Sequence, residues 1–229
     1  MLGVTVNALA VIVGAVIGLL CKKGIPERLT NAIMTGLALC VLYIGISGAL
    51  CGENALIAVL SMVLGAVTGT LLDIDGRVNA LGERLEHRFD KNGESGSFTK
   101  AFVSTSLLFC MGAMAVVGSI NAGLSGDNSV LYTKSLLDGI SAVVFTSTMG
   151  LGVLFSAAFV FVYQGIICLL AGALQPVLTE SVMNEMSCVG YILIIGIGLN
   201  MIGLTKIKIA DYMPAIIFAP VIVWIISLF

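Results

Sequence analysis

Gly118–Gly152 reads GSINAGLSGDNSVLYTKSLLDGISAVVFTSTMGLG, and the architecture turns on whether its second half crosses a membrane. The flanking runs are apolar enough to do so, yet this stretch carries Asn121, Asp127, Asn128, Lys134 and Asp138. An ionisable group at membrane depth is costly and is accommodated by facing a bundle interior or a wet cavity. Lys134 and Asp138 are four residues apart, so on a helix they share a face and can neutralise each other. Ser141 and Thr148 continue that face. Glycines bracket the stripe at positions 123, 126, 139, 150 and 152, and glycine permits turns and close approaches closed to other residues. Read as a helix, Leu131–Met149 is a span with one polar stripe. Asn121, Asp127, Asn128, Lys134, Asp138, Ser141 and Thr148 are then the candidate residues for binding an ion or small solute. The plainer alternative is a lysine snorkelling from a helix end with its counter-ion.

Composition sets the class. Of 229 residues, 59% are hydrophobic and only 10% charged, where soluble domains carry about 25% charged residues. With a mean hydropathy of +1.11, the chain reads as an all-α integral membrane protein forming a single transmembrane domain over residues 1–229. Its apolar runs are continuous over ~18–23 residues, which favours helices over the alternating strands of a barrel. A net charge of -2 without a long basic cluster gives no nucleic-acid signal. The six cysteines form no C-x-x-C pair and read as small buried hydrophobes. The one histidine, His87, lies in a charged segment, so a histidine-based metal site is not expected, and neither is a cofactor.

Working outward, Leu2–Leu20 is expected to be a retained helix rather than a signal peptide, with a GxxxG step at Gly14 and Gly18. Its lone polar residue, Asn7, suits an interhelical hydrogen bond. After a turn ended by Pro26, with Thr30 or Asn31 as cap, spans are expected at residues 31–50 and 55–72, the latter with GxxxG at Gly65 and Gly69. Residues 74–99 form the one long hydrophilic segment. Ile74, Val78, Leu81, Leu85 and Phe89 recur there at helical spacing, predicting an amphipathic helix followed by the polar loop NGESGS. Further spans are expected at 101–122, 131–149, 151–174 and 182–203. A last one runs to Phe229, interrupted between Met213 and Pro220 by its two prolines.

That gives about eight spans, or seven if Leu131–Met149 is a re-entrant half-helix. Cytoplasmic loops are enriched in lysine and arginine. With eight spans and the N-terminus outside, every basic residue except Lys134 falls on the cytoplasmic side, residues 74–99 included; seven spans would place Lys206 and Lys208 outside. A periodicity follows. Glu27, Asn31, Ile44 and Gly45 match Glu180, Asn184, Ile197 and Gly198 at an offset of 153, and Pro26 matches Pro176 at 150. Spans one to three and six to eight would then run in opposite senses, the inverted repeat common among transporters.

Phe109–Ala157, FCMGAMAVVGSINAGLSGDNSVLYTKSLLDGISAVVFTSTMGLGVLFSA, resembles the signature region of a family of bacterial membrane proteins, domain-of-unknown-function family 554. The resemblance covers the whole chain. It implies a multi-pass protein of the bacterial inner membrane, in contact with the lipid bilayer, and implies no substrate or catalytic residue.

No nucleophile motif, zinc-protease motif or phosphate-binding loop is present, and an intramembrane aspartyl protease needs two cooperating aspartates where Asp138 stands nearly alone. The chain is therefore not expected to be an enzyme. The leading expectation is a transporter or channel for an ion or small solute. The alternative is a non-transporting membrane interaction or structural protein acting through residues 74–89. The GxxxG faces are compatible with a homo-oligomer and equally with packing inside one bundle.

Overall fold

A computed structural model describes residues 1–22, 27–89, 97–110, 113–174, 176 and 178–226. Among them every regular element is an α-helix: α1 (Leu2–Lys22), α2 (Glu27–Ala49), α3 (Ala55–Leu71), α4 (Ile74–Phe89), α5 (Ser97–Cys110), α6 (Ala113–Leu124), α7 (Ser129–Met149), α8 (Gly152–Leu169), α9 (Ala171–Leu174), α10 (Glu180–Ile202), α11 (Ile209–Tyr212) and α12 (Ala215–Ile226). The expected turn at residues 23–26, the greater part of the NGESGS loop, and the side chains of Thr30, Leu81, Leu85 and Phe89 lie outside what is described.

Among the described residues, five helical segments are long and apolar enough to cross a membrane, and seven if each of two bent pairs counts as one crossing. The first bent pair is α3 with the start of α4, turned by 56°. Asp73 adopts a left-handed φ of 47° at that bend, a conformation that aspartate tolerates better than most residues. The second pair corrects the expected continuous span at 101–122: α5 and α6 are separate helices inclined at 61°. α7 is long enough for a crossing, but its polar stripe lowers its hydropathy and it falls outside the set of seven.

Local signals place most other boundaries. Asn54 caps α3 by accepting from the Leu56 N–H, and Thr179 caps α10 by accepting from Val182. Gly203, at φ 82°, closes α10 in the left-handed conformation that leaves its last carbonyls bonded. α2 starts at Glu27, four residues before the apolar run, so Asn31 lies inside the helix and does not cap it. The last span is interrupted at Met213–Pro214, between α11 and α12, whereas Pro220 sits within an unbroken α12.

The chain divides into two compact units. The first comprises residues 1–33 and 79–175, the second residues 34–78 and 176–229. In the first, α1 and α7 run parallel in close contact: Gly14 faces the Gly139 carbonyl and Gly18 the Val143 carbonyl, so a Cβ at either position would collide with backbone. The GxxxG step is thus spent on bringing α7 against α1. α8 runs antiparallel to α1, and α5 lies along α8 through edge-on pairs Phe98–Phe155 and Phe102–Phe159. In the second unit, α3 packs antiparallel on α11 and α12, Gly65 against Ala215 and Gly69 against the Asp211 carbonyl. Its core gathers Ile57, Ala58, Val189, Ala215, Ala219 and Ile222.

Candidate functional site

The parallel contact of α1 with α7 carries Asn7 to the level of Asp138. Asp138 lies near the middle of α7 and is 6% exposed. The Lys134 ammonium, one turn earlier on the same helix, donates to Asp138 Oδ1 at 2.9 Å and pairs with Oδ2 at 2.8 Å. Asn7 Nδ2 donates to Asp138 Oδ2 at 3.1 Å and to Gln164 Oε1, on α8, at 3.2 Å. Asn7 and Gln164 are both 0% exposed. Three helices thus meet in one polar network of two amides and an ion pair. An ion pair removed from water is stable only with good geometry and further hydrogen bonds, which Asn7 supplies.

Two polar atoms of the network lack a partner among the described residues: Asn7 Oδ1, an acceptor, and Gln164 Nε2, a donor. The surrounding bonds fix both assignments. Reversing the Asn7 amide would set its oxygen against Asp138 Oδ2 and Gln164 Oε1, and reversing Gln164 would set nitrogen against nitrogen. Buried polar groups are nearly always bonded, so each exception calls for an explanation.

The other expected residues stand apart from this network. Asn128 Oδ1 accepts the Gly3 N–H at 2.8 Å, tying the loop before α7 to the start of α1. Asp127 is exposed in that loop and accepts the Ser129 N–H at 2.9 Å. That bond, with the Ser129 hydroxyl, holds its carboxyl below the usual range. Asn121 and Ser141 are half-buried. Thr148 spends its hydroxyl on the Val144 and Phe145 carbonyls of its own helix, a local bond open to any helical threonine. The polar stripe of α7 is therefore not one continuous site, because only Lys134 and Asp138 reach the α1–α8 side together. Gln164, a polar member of the otherwise apolar span at 151–174, is not among the residues the sequence marks out for the site. A groove of about 580 Å³ between α1 and α8 is apolar, lined by Leu9, Ile12, Phe161 and Val162 among others, and no network residue lines it.

The second unit buries two carboxylates. Glu185, 0% exposed, accepts through Oε1 from the backbone N–H groups of Glu53 (2.8 Å) and Asn54 (2.7 Å), while its Oε2 lacks a partner among the described residues. Asp211 accepts the Asp75 N–H at 2.8 Å. Each carboxylate thus serves the start of a helix, α3 and α4 respectively, where backbone donors lack intrahelical partners.

The model of the family described as protein of unknown function (DUF554) matches residues 2–224. The chain belongs to the DUF554 family. It is 29% identical over 233 residues to the uncharacterized membrane protein YdfK of Bacillus subtilis, covering 100% of this chain and 98% of the relative. It is also 29% identical over 221 residues to the uncharacterized protein YqgA of Escherichia coli, covering 95% and 94%. No solved structure matches. The apolar helices of this DUF554 chain fit an all-α membrane protein, which places lipid against its outer faces.

Proposed function

We propose that this protein is a transporter or channel for an ion or small solute in the bacterial inner membrane, with the Asn7–Lys134–Asp138–Gln164 network as its site. The observation that carries the reading is the burial of an ion pair and two amides where three helices meet. An ionisable pair inside spanning helices is a functional-site hypothesis by default, since an apolar core would assemble at lower cost. Eight crossings, with α7 as the fifth, keep every basic residue but Lys134 on the cytoplasmic side and agree with the multi-pass topology.

The helix order is compatible with an inverted repeat, which would support the same reading. α1, α2 and α3 start at Leu2, Glu27 and Ala55, and their counterparts α8, α10 and α11 at Gly152, Glu180 and Ile209. Within the first unit α1 opposes α8, and within the second α2 opposes α10 and α3 opposes α11–α12. At the α2–α10 crossing the contacts are reciprocal. Gly45 meets Ile195 and Gly198 meets Leu42, pairs that exchange under the 153-residue offset read from the sequence. Transporters built this way place their sites near the membrane midplane, at irregular or discontinuous helices.

The test is flux through the purified protein in liposomes beside its thermal stability. Asp138→Asn keeps the side chain's volume and removes its charge. Flux is expected to fall at least tenfold in a protein that still folds. Unchanged flux in stable Asp138→Asn would remove the network from the mechanism.

A further inference from the structure

The transport reading leaves open what is carried, and the hydrogen-bonding capacity left in the network narrows it. Asp138 offers little to a cation. Lys134 engages both of its oxygens, Asn7 takes a second bond to one of them, and the lysine already balances the charge. Capacity remains on the two amides. Asn7 Oδ1 needs a donor and Gln164 Nε2 needs an acceptor, and these two atoms flank the hydrogen bond that joins the side chains. A buried donor beside a buried acceptor, in a site without net charge, matches a molecule presenting one of each and no charge of its own. A primary carboxamide does so from one planar group: its N–H donates to Asn7 Oδ1 while its carbonyl accepts from Gln164 Nε2. A bare cation could satisfy Asn7 Oδ1 and would meet repulsion from the Gln164 N–H. An anion would meet the reverse.

Resting on the transport reading, we infer that the network recognises a small uncharged solute of the amide class, through Asn7 Oδ1 and Gln164 Nε2. A site built to hydrogen-bond its ligand rejects analogues that leave its buried groups unpaired, so the selectivity should be sharp.

The experiment measures osmotic swelling of proteoliposomes in acetamide and in urea, with sodium flux, proton flux and water permeability followed in parallel. Acetamide and urea are expected to enter faster than into protein-free liposomes. Gln164→Met, which removes the donor, and Gln164→Glu, which replaces it with an oxygen, should each lower that protein-dependent rate at least tenfold, with folding checked by thermal unfolding. If a variant does not fold, the wild-type selectivity decides alone. Sodium or proton flux that Asp138→Asn abolishes, without amide flux, would overturn this inference and leave the transport reading standing. Protein-dependent permeability to water alone would also overturn it, the two atoms then serving as a water site. An absence of protein-dependent movement of every probe would overturn this inference.

Discussion

In the second unit the buried carboxylates of Glu185 and Asp211 accept backbone N–H bonds at the starts of α3 and α4, whereas in the first the buried carboxylate of Asp138 is held by the side chains of Lys134 and Asn7. The two solutions differ in what they require. A carboxylate at a helix start answers donors that exist in any helix, so its role is complete once the helix is in place. A carboxylate facing a lysine and an amide answers groups that would not need burying if it were absent. The first arrangement, apart from the unpartnered Oε2 of Glu185, is accounted for by folding alone. The second is the one that asks for a function.

The largest expected effect separates the two directly. Lys134→Met leaves Asp138 buried without its cation and should destabilise the protein by roughly 3–5 kcal/mol, while Lys134→Met combined with Asp138→Leu should recover most of that loss. Thermal unfolding in detergent of the single and double variants measures it, and failure of the double variant to recover would show that the pair has further obligatory partners.

Next comes Glu185. Glu185→Ala strands two backbone donors and should cost about 2–4 kcal/mol, whereas Glu185→Gln keeps an accepting oxygen and should cost about 1 kcal/mol or less. A cost for Glu185→Gln as large as for Glu185→Ala would mean that the charge itself matters there. The two units would then be more alike than the comparison holds.

The smallest effect belongs to Asp127. Its carboxyl is held below the usual range by the Ser129 N–H and hydroxyl. A depressed folded-state value stabilises above the unfolded value, near 3.9, and is lost as pH falls through the folded one. Asp127→Ala should therefore lower stability by a small, constant amount above about pH 4, with the variant and wild-type profiles converging as pH falls below it. A difference that persists in acid, below the folded value, would point to a role beyond this turn.

Much of this fold is legible in the sequence because glycine, proline and capping residues act locally. Gly203 ends α10, Asn54 starts α3 and Pro214 divides α11 from α12, each through its own backbone or side-chain chemistry. The bend between α5 and α6 is not legible, since residues 101–122 read as one continuous apolar run. The Lys134–Asp138 pair follows from helical spacing alone. Its completion by Asn7 and Gln164 does not, because these come from helices 131 and 157 residues apart in pairing and meet only through the α1–α7 and α1–α8 packing. Thr148 shows the converse: a hydroxyl on the expected face is consumed by the carbonyls of its own helix.

Transport through the network requires water to reach it at some stage of the cycle. The direct measurement places a cysteine at position 164 in a chain whose six native cysteines are replaced, and exposes native membranes to a small charged thiol reagent. Such a reagent reacts with the thiolate, which forms in water and not against lipid or dry protein. Gln164→Cys is expected to be modified in intact, folded protein, and a cysteine introduced at Ile166, an exposed apolar position of α8 outside the groove, is not. Modification of Gln164→Cys only after denaturation would contradict this and leave the network a dry structural pin.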